Sequence, residues 1–578
     1  MGRSRILTRD QIYDFIADGQ IIVISKQRVL RLDSWLEKHP GGKLTIMHMV
    51  GRDATDEMNA YHSAKALAAM AAFQIGRIEG IWVNFVPPIR GGAFVRQEEK
   101  NPLKLVVEEA LSDSRDTGCE ADTSSCDLKK DTHCTRSRSP NLSNNTPIYD
   151  SVLLEKSNAS TLAIPSTLIA SPPSVTLPLN PTLYTRTVYT DIVVQHEIDR
   201  DLKAYPSIDI ATQREITLRY QELHRQVKEG GHYNCRYMEY AKECARYSIF
   251  FSLFLVSIRH EWYLTSAAFL GLFWHQIMFT AHDAGHMGIT HNFKIDTLIG
   301  IFVADFCCGL SIGWWKSSHN VHHLITNHPE HDPDIQNVPL FATSPSFFKS
   351  IHSTYYNFQF VWDRFADLAV QFQHYTYYPI MCIARFNLYL LSWLFLLSNK
   401  APRLGAASWT RPTELLFMAG YWYVFGYCLL WKSIPTWFLR VGFVLISHMI
   451  TMPLHVQITL SHWAMSTADL GEIESFAQKQ LRTTMDVQCP AWLDFIHGGL
   501  QFQAVHHLFP RVPRHNLRRV QTLVREFCKD VGIEYKILGF VDGNKEVLGR
   551  LGEVGKQVEL LVQCQKYMVE TGESGLAH

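Results

Sequence analysis

Along the chain the pattern of hydrophobic and polar positions changes several times, and each change marks a boundary. Ile21-Ile22-Val23-Ile24 and Val29-Leu30-Arg31-Leu32 are β-rich runs separated by Ser25-Lys26-Gln27, which predicts two short strands and a turn. Asp33-Ser34 then caps a short helix through Trp35-Leu36, broken at His39-Pro40-Gly41-Gly42. A second loop, Gly51-Arg52-Asp53-Ala54-Thr55, leads on to His62. From about Gln97 to Pro181, apolar residues recur at neither the helical nor the strand period. Runs such as Ser171-Pro172-Pro173-Ser174 predict a flexible tether, because such a composition cannot bury enough surface to offset its ordering entropy.

Periodicity returns after Tyr184. Ile216, Leu218, Tyr220 and Leu223 among charges predict an amphipathic helix over 211–228, ended by Gly230-Gly231 and lying on a membrane surface. Apolar runs at 244–258, 262–281, 381–398, 414–432 and 436–459 are candidate spans, and the first two form a hairpin around Arg259-His260-Glu261-Trp262. Leu517 to Val531 is basic and amphipathic, and the segment from Asp542 reads as helix.

Composition changes this picture little. A length of 578 allows two or three domains, and a formal charge of zero leaves no nucleic-acid footprint. The mean hydropathy of −0.06 blends a polar N-terminal third with a greasy middle. The twelve cysteines have no CxxC spacing, so they read as reduced structural thiols. Met1-Gly2-Arg3-Ser4-Arg5 opens no apolar signal region, and Ile6 breaks the myristoylation pattern, so the N-terminal domain is expected in the cytosol.

The chemistry lies in three histidine clusters beside apolar or aromatic stretches: His282-Asp283-Ala284-Gly285-His286, His319-Asn320-Val321-His322-His323 and Gln503-Ala504-Val505-His506-His507. Helical residues three and four apart share a face, so each cluster offers two or three imidazoles to a common point, as a metal site requires. Convergence also constrains topology. If Leu298 to Trp315 crossed the bilayer, the second cluster would face away from the first. That run, which contains Asp305, is therefore expected to be re-entrant or surface-lying. An even number of crossings must likewise separate His323 from His506, so four true spans in total are expected.

The three clusters resemble the histidine boxes of membrane fatty-acyl and sphingolipid desaturases, and Gln503 at the head of the third is similar to the front-end branch. The N-terminal stretch resembles cytochrome b5, which implies His39 and His62 as axial ligands of haem b. Two histidines leave no open position on the iron, which favours electron transfer. The resemblance covers residues 1–95 and roughly 200–540. It implies a multi-domain chain: a small α+β cytochrome b5-like haem domain (1–95), a Ser/Thr/Pro-rich linker (96–183) and an amphipathic pre-membrane segment (184–243). An all-α polytopic desaturase domain with a cytosolic helical cap (244–540) and a helical tail (541–578) complete it.

It further implies His462, near the cytosolic end of the last span, as a ligand beside His282, His286, His319, His322, His323, His506 and His507. His455 and Gln503 are expected as supporting or weak ligands. Imidazole suits iron, copper and zinc alike; the attached haem selects two iron ions, since zinc has no use for an electron donor. Trp314, Trp315, Lys316, Arg511 and Arg514 join aromatic and cationic groups and are expected to position lipid at the membrane interface.

Trp314-Trp315-Lys316 and His331-Asp332-Pro333-Asp334 look most like fungal sphingolipid 8-desaturases. The expected activity is O2-dependent insertion of an 8,9 trans double bond into the long-chain base of ceramide, at the endoplasmic reticulum membrane with haem and metals facing the cytosol. NADH-cytochrome b5 reductase is the expected electron donor. A delta-6-type front-end acyl desaturase and a lipid hydroxylase share the boxes, and a zinc-bearing, membrane-tethered electron carrier is the reading from another class.

Overall fold

A computed structural model describes residues 4–92, 185–401 and 404–571; the expected linker lies outside the described residues. The N-terminal domain begins with α1 (Arg9–Ala17), capped reciprocally by Thr8 and Gln11. Strands β1 (Ile22–Ser25) and β2 (Arg28–Arg31) pair antiparallel with Val23 opposite Leu30. The tight turn between them puts Lys26 and Gln27 at φ 49° and 60°. A third strand, β3 (Gln74–Arg77), joins the far side of β2. Its four residues carry no alternation by which a sequence reading would find it. The helix expected through Trp35-Leu36 is a single 3-10 turn, Leu36–Lys38. Helices α2 (Lys43–Met47) and α3 (Thr55–Tyr61) follow the two loops; His39 stands at the end of the 3-10 turn, before α2, and His62 at the end of α3.

Beyond the linker the chain is helical: α4 (Arg186–Ala204), α5 (Ile210–Glu229), α6 (Tyr237–Arg259), α7 (Tyr263–Gly285), α8 (Phe293–Gly300) and α9 (Ile312–Leu324). Then come α10 (Gln373–Leu397), α11 (Thr410–Tyr421), α12 (Trp437–Met449), α13 (Met452–Leu460), α14 (Phe476–Thr483), α15 (Gln503–Leu508), α16 (Arg514–Val531) and α17 (Phe540–Thr571). Among the described residues, two helices are long and apolar enough to cross a membrane, Gln373–Leu397 and Trp437–Leu460. Phe293–Cys307 with Ile312–Leu324 makes a third only if counted as one span, and that pair is bent by 115°. The bend falls where a π-helical segment, Ile301–Cys307, ends before Gly309, whose φ is 70°.

One expectation is corrected here. α5 exists and ends at Gly230, but protein and not a membrane covers the face formed by Ile216, Tyr220, Leu223 and Val227, while Leu218 stays exposed. Ile216, Tyr220, Leu223 and Val227 pack against Leu517, Val520, Val524 and Phe527 of α16, inside the cap. Amphipathic periodicity says that one face is covered; it does not say by what.

The two ends of α10 are anchored on different partners. At one end Gln373 bonds Ala342 and Leu551; past the other, Lys400 donates to the Tyr355 carbonyl and Gly405 packs on Lys38 of the N-terminal domain.

Candidate metal centre

The helical spacing does what it predicts. His282 and His286 close α7, His319 comes from α9 and His506 from α15, and one nitrogen from each lies within 4.8 Å of the others. His322, His462 and His507 form a second group by the same measure, and Asp334 joins His319 and His322 in a third. His323 stands between the first two. Its ring is 4.1 Å from that of His507 and 4.8 Å from those of His286 and His506, and its Nε2 is 2.9 Å from His319 Nε2.

Whether these residues suit metal ions can be tested on their hydrogen bonds. Buried polar atoms are nearly always bonded, yet Nε2 of His282, His286, His506 and His507 and Nδ1 of His323 and His462 are buried without a partner. Several rings are steered from behind. His322 Nδ1 is 2.8 Å from Asp332, His507 Nδ1 is 2.9 Å from Gln480 Oε1, and Asp334 lies 3.7 Å from His319. A carboxylate or amide holding one ring nitrogen fixes the tautomer and aims the other. Burial, reinforced by neighbouring imidazoles, holds His506 and His507 well below the ordinary range, so both are neutral, the form that binds metal. The donor set fits two metal ions.

Asp332, Asp334 and Gln480 were not assigned roles from sequence. The two aspartates lie in a motif quoted above. Gln480 gives no local signal, because it sits on α14, 27 residues before the histidine it orients.

A cavity of about 790 Å³ opens beside the histidines. Trp314, Ala304, Leu310, Met381, Leu388 and Ile458 supply apolar wall, while His282, His319, His322 and His462 face its inner end. Gln503 and His455 line it too. This is the form of a site for an apolar chain.

Three cations and one aromatic expected at lipid headgroups have other surroundings. Arg514 is buried, donating to Asp283 at 2.5 Å, to the Phe279 carbonyl at 2.8 Å and to Glu243. It clamps α16 to α6 and α7. Trp315 stacks on His319 at 4.3 Å and meets His282 and His286 edge-on at 5.3 Å, and it also lines the apolar cavity. Its ring leaves no room for a side chain at Gly285, where a Cβ would lie 2.1 Å from Trp315 Cζ3. Lys316 folds over Phe293, and Arg511 turns inward toward His291.

In the N-terminal domain the rings of His39 and His62 face each other at 6.0 Å, walled by Leu36, Ile46, Met58, Met70 and Phe73. Met47 stands outside this apolar group. His39 Nδ1 donates to the Gly42 carbonyl at 2.9 Å and His62 Nδ1 to that of Met58 at 3.1 Å, leaving both Nε2 atoms to face inward. Burial lowers both histidines, His62 to about 4, so neutral rings confront each other across an apolar slot, as axial ligation of a haem requires. This domain sits against α9. Asn320 Nδ2 donates to the Gly41 carbonyl at 3.4 Å, Ile325 joins the slot's apolar core, and the Tyr61 ring is 6.1 Å from that of His323. Arg52 pairs with Glu472, and Arg90 with Glu472 at 2.9 Å and Asp469 at 3.6 Å.

Comparison with known proteins agrees with this division. Residues 8–79 match the family of the cytochrome b5-like haem/steroid binding domain, and residues 261–539 match that of fatty acid desaturases. The chain is similar to a delta 8-(E)-sphingolipid desaturase of Emericella nidulans, 50% identical over 99% of this chain and 98% of that protein. Proteins of the same description from Kluyveromyces lactis (44% identical, covering 98% and 95%) and Candida albicans (43% identical, covering 98% and 98%) are also similar.

Proposed function

Since the chain belongs to the family of membrane sphingolipid desaturases with a fused cytochrome b5 domain, we propose that it introduces an 8,9 trans double bond into the long-chain base of ceramide. O2 is the oxidant. Electrons come from NADH through a separate cytochrome b5 reductase and the chain's own haem domain. The observation that carries the reading is a pair of histidine groups with inward-facing, unpartnered nitrogens, placed between an apolar cavity and a bis-histidine slot.

We assign haem b to His39 and His62, one iron to His282, His286, His319 and His506, and the other to His322, His462 and His507, with His323 between them. When bound, the haem supplies a one-electron carrier and the irons supply the oxygen chemistry. The chain's own residues do the rest. Asp332, Asp334 and Gln480 hold the imidazoles in register. Trp315 and the apolar wall keep water from the metals and lay two adjacent methylenes against them, since positioning is the protein's main contribution in such chemistry. Gln503 and His455, on the cavity wall, adjust the polarity at its inner end.

Four spans fit this arrangement: α6, α7, α11 with its π-helical continuation Trp422–Ser433, and α12 with α13. α10, though long and apolar enough to cross, is then counted as lying along the membrane and not through it, and an even number of crossings separates the second box from the third. The endoplasmic reticulum is the assigned membrane, with haem domain and metals on the cytosolic face.

The test is lipid analysis of cells lacking the protein, complemented with the wild type or with His286→Ala. Only the wild type should restore 8,9-unsaturated long-chain bases. Loss of delta-6 acyl chains with ceramides unchanged would replace the sphingolipid assignment, and accumulation of a hydroxylated base would replace desaturation itself.

A further inference from the structure

Arg511 lies four residues past the third histidine box and is 9% exposed. A buried guanidinium needs an anion, yet no carboxylate among the described residues pairs with it, and its Nε has no partner. Its contact with His291 Nδ1 is long, at 3.4 Å, and both nitrogens of that ring also lie 2.7 Å from carbonyls, those of Met287 and Tyr233. Burial lowers the basicity of Arg511, and the more distant Tyr233 and Asp296 offset only part of that.

What Arg511 does face is a cavity of about 1050 Å³ whose wall also includes His62 and Ser63 of the haem domain. Its charge is close enough to His62 to depress that ring's basicity. Ser63 Oγ accepts from the Ala66 amide at 3.3 Å, which leaves its hydroxyl proton free to donate. A cationic fork and a hydroxyl donor therefore converge beside one axial histidine, in a space large enough for the edge of a porphyrin. Haem b brings two carboxylates to its pocket, and bidentate arginine–carboxylate pairing is among the strongest polar contacts available.

We propose that Arg511, from the desaturase domain, pairs with a haem carboxylate, with Ser63 as second donor, so that the haem site is completed by the segment following the third box. This rests on the assignment of haem to His39 and His62. It has a functional consequence: the contact fixes the haem domain on the desaturase domain through the cofactor itself.

The test uses full-length, haem-loaded protein in lipid nanodiscs, as wild type, Arg511→Gln and Arg511→Lys. Haem loss to excess apomyoglobin and the haem midpoint potential are measured, first with native haem and then with its dimethyl ester, which has no carboxylate. With native haem, R511Q should lose haem several-fold faster than wild type and show a lower potential, because an uncompensated carboxylate favours ferric iron; R511K should fall between. With the ester, wild type and R511Q should coincide. Equal loss rates with native haem would overturn the proposal, and so would a wild-type/R511Q difference that persists undiminished with the ester, since Arg511 would then act on folding alone. The ester comparison within the wild type needs no variant to fold. His39→Ala tests the underlying assignment separately: a six-coordinate haem spectrum surviving in H39A would remove the haem site itself.

Discussion

Asp332→Asn is the most searching test of the metal centre, because it alters neither a ligand nor the volume of the site. One Asp332 oxygen lies 2.8 Å from His322 Nδ1 and 2.7 Å from the Asn327 amide; the other accepts from the Asp334 amide at 2.9 Å. All three partners donate. An asparagine presents one oxygen and one NH2 group, so whichever way its amide is turned, an NH2 faces a donor that it cannot satisfy. If it faces His322, the imidazole loses the acceptor that aims Nε2 at its metal. If it faces Asp334, the loop carrying the carboxylate near His319 is displaced. Leaving one buried donor unsatisfied costs about 1–3 kcal/mol, and replacing an outer partner of a ligating histidine typically weakens metal binding about 10–100-fold, or about 1.4–2.7 kcal/mol. The two estimates agree. The assay is competitive iron titration of the purified protein, with total metal counted after dialysis. D332N should retain the ion held by His282, His286, His319 and His506 and bind the other weakly, while its haem spectrum is unchanged. Two ions retained at wild-type affinity would refute the argument that Asp332 aims His322.

Four further outcomes follow from the geometry. Arg514→Met leaves Asp283 buried without its cation and Glu243 with His515 alone, which should cost about 3–5 kcal/mol and show as a lower unfolding temperature; an unchanged temperature would mean the clamp is not structural. Tyr61→Ala should slow reoxidation of reduced haem under O2 and lipid by an order of magnitude while Tyr61→Phe behaves as wild type, since it is the ring that meets His323; equal rates in all three would exclude this contact from the route. Arg52→Glu and Glu472→Arg should each loosen the haem domain from the loop after His462, seen as faster backbone hydrogen exchange at α9, and the double exchange should restore protection with a coupling of about 0.5–3 kcal/mol; additive damage would mean the pair is incidental. Iron chelation should lower the unfolding temperature, because ions at a thousandfold over their dissociation constant contribute about 4 kcal/mol, and should leave the haem band in place.

The histidine boxes were legible because their information is local: spacing on a helix fixes which imidazoles share a face before any tertiary contact is known. His462 needed the family's pattern, and Gln480 could not be found at all, since its relation to His507 exists only once α14 packs against α15. The errors share one cause. Arg514 and Arg511 follow an aromatic and precede a basic helix, which reads as a membrane belt, but a charge pattern does not reveal whether its partners are phosphates or buried groups. Carboxylates on α6 and α7 claim Arg514. The same ambiguity misplaced α5, whose apolar stripe is covered by α16. The bend before α9 was inferred from a demand of function, that ligands converge, and the backbone makes it where π-helical turns and Gly309 interrupt the run.

The helix α9 explains why the second box has its composition. Successive residues are offset by about 100° around a helix, so His319, His322 and His323 occupy one arc while Asn320 and Leu324 fall on another. The first arc faces the metal groups. The second faces the haem domain, where Asn320 bonds Gly41 beside His39 and Leu324 packs with the slot's apolar core. One thirteen-residue helix is thus wall to both cofactor sites. From the other side, His62 is bonded in sequence to Tyr61, whose ring meets His323. An electron leaving a haem held in the slot would by this path cross a single non-bonded gap between aromatic rings before reaching the residue that stands between the two histidine groups. The two faces of this helix therefore hold the haem domain against the metal site by contacts of its own residues.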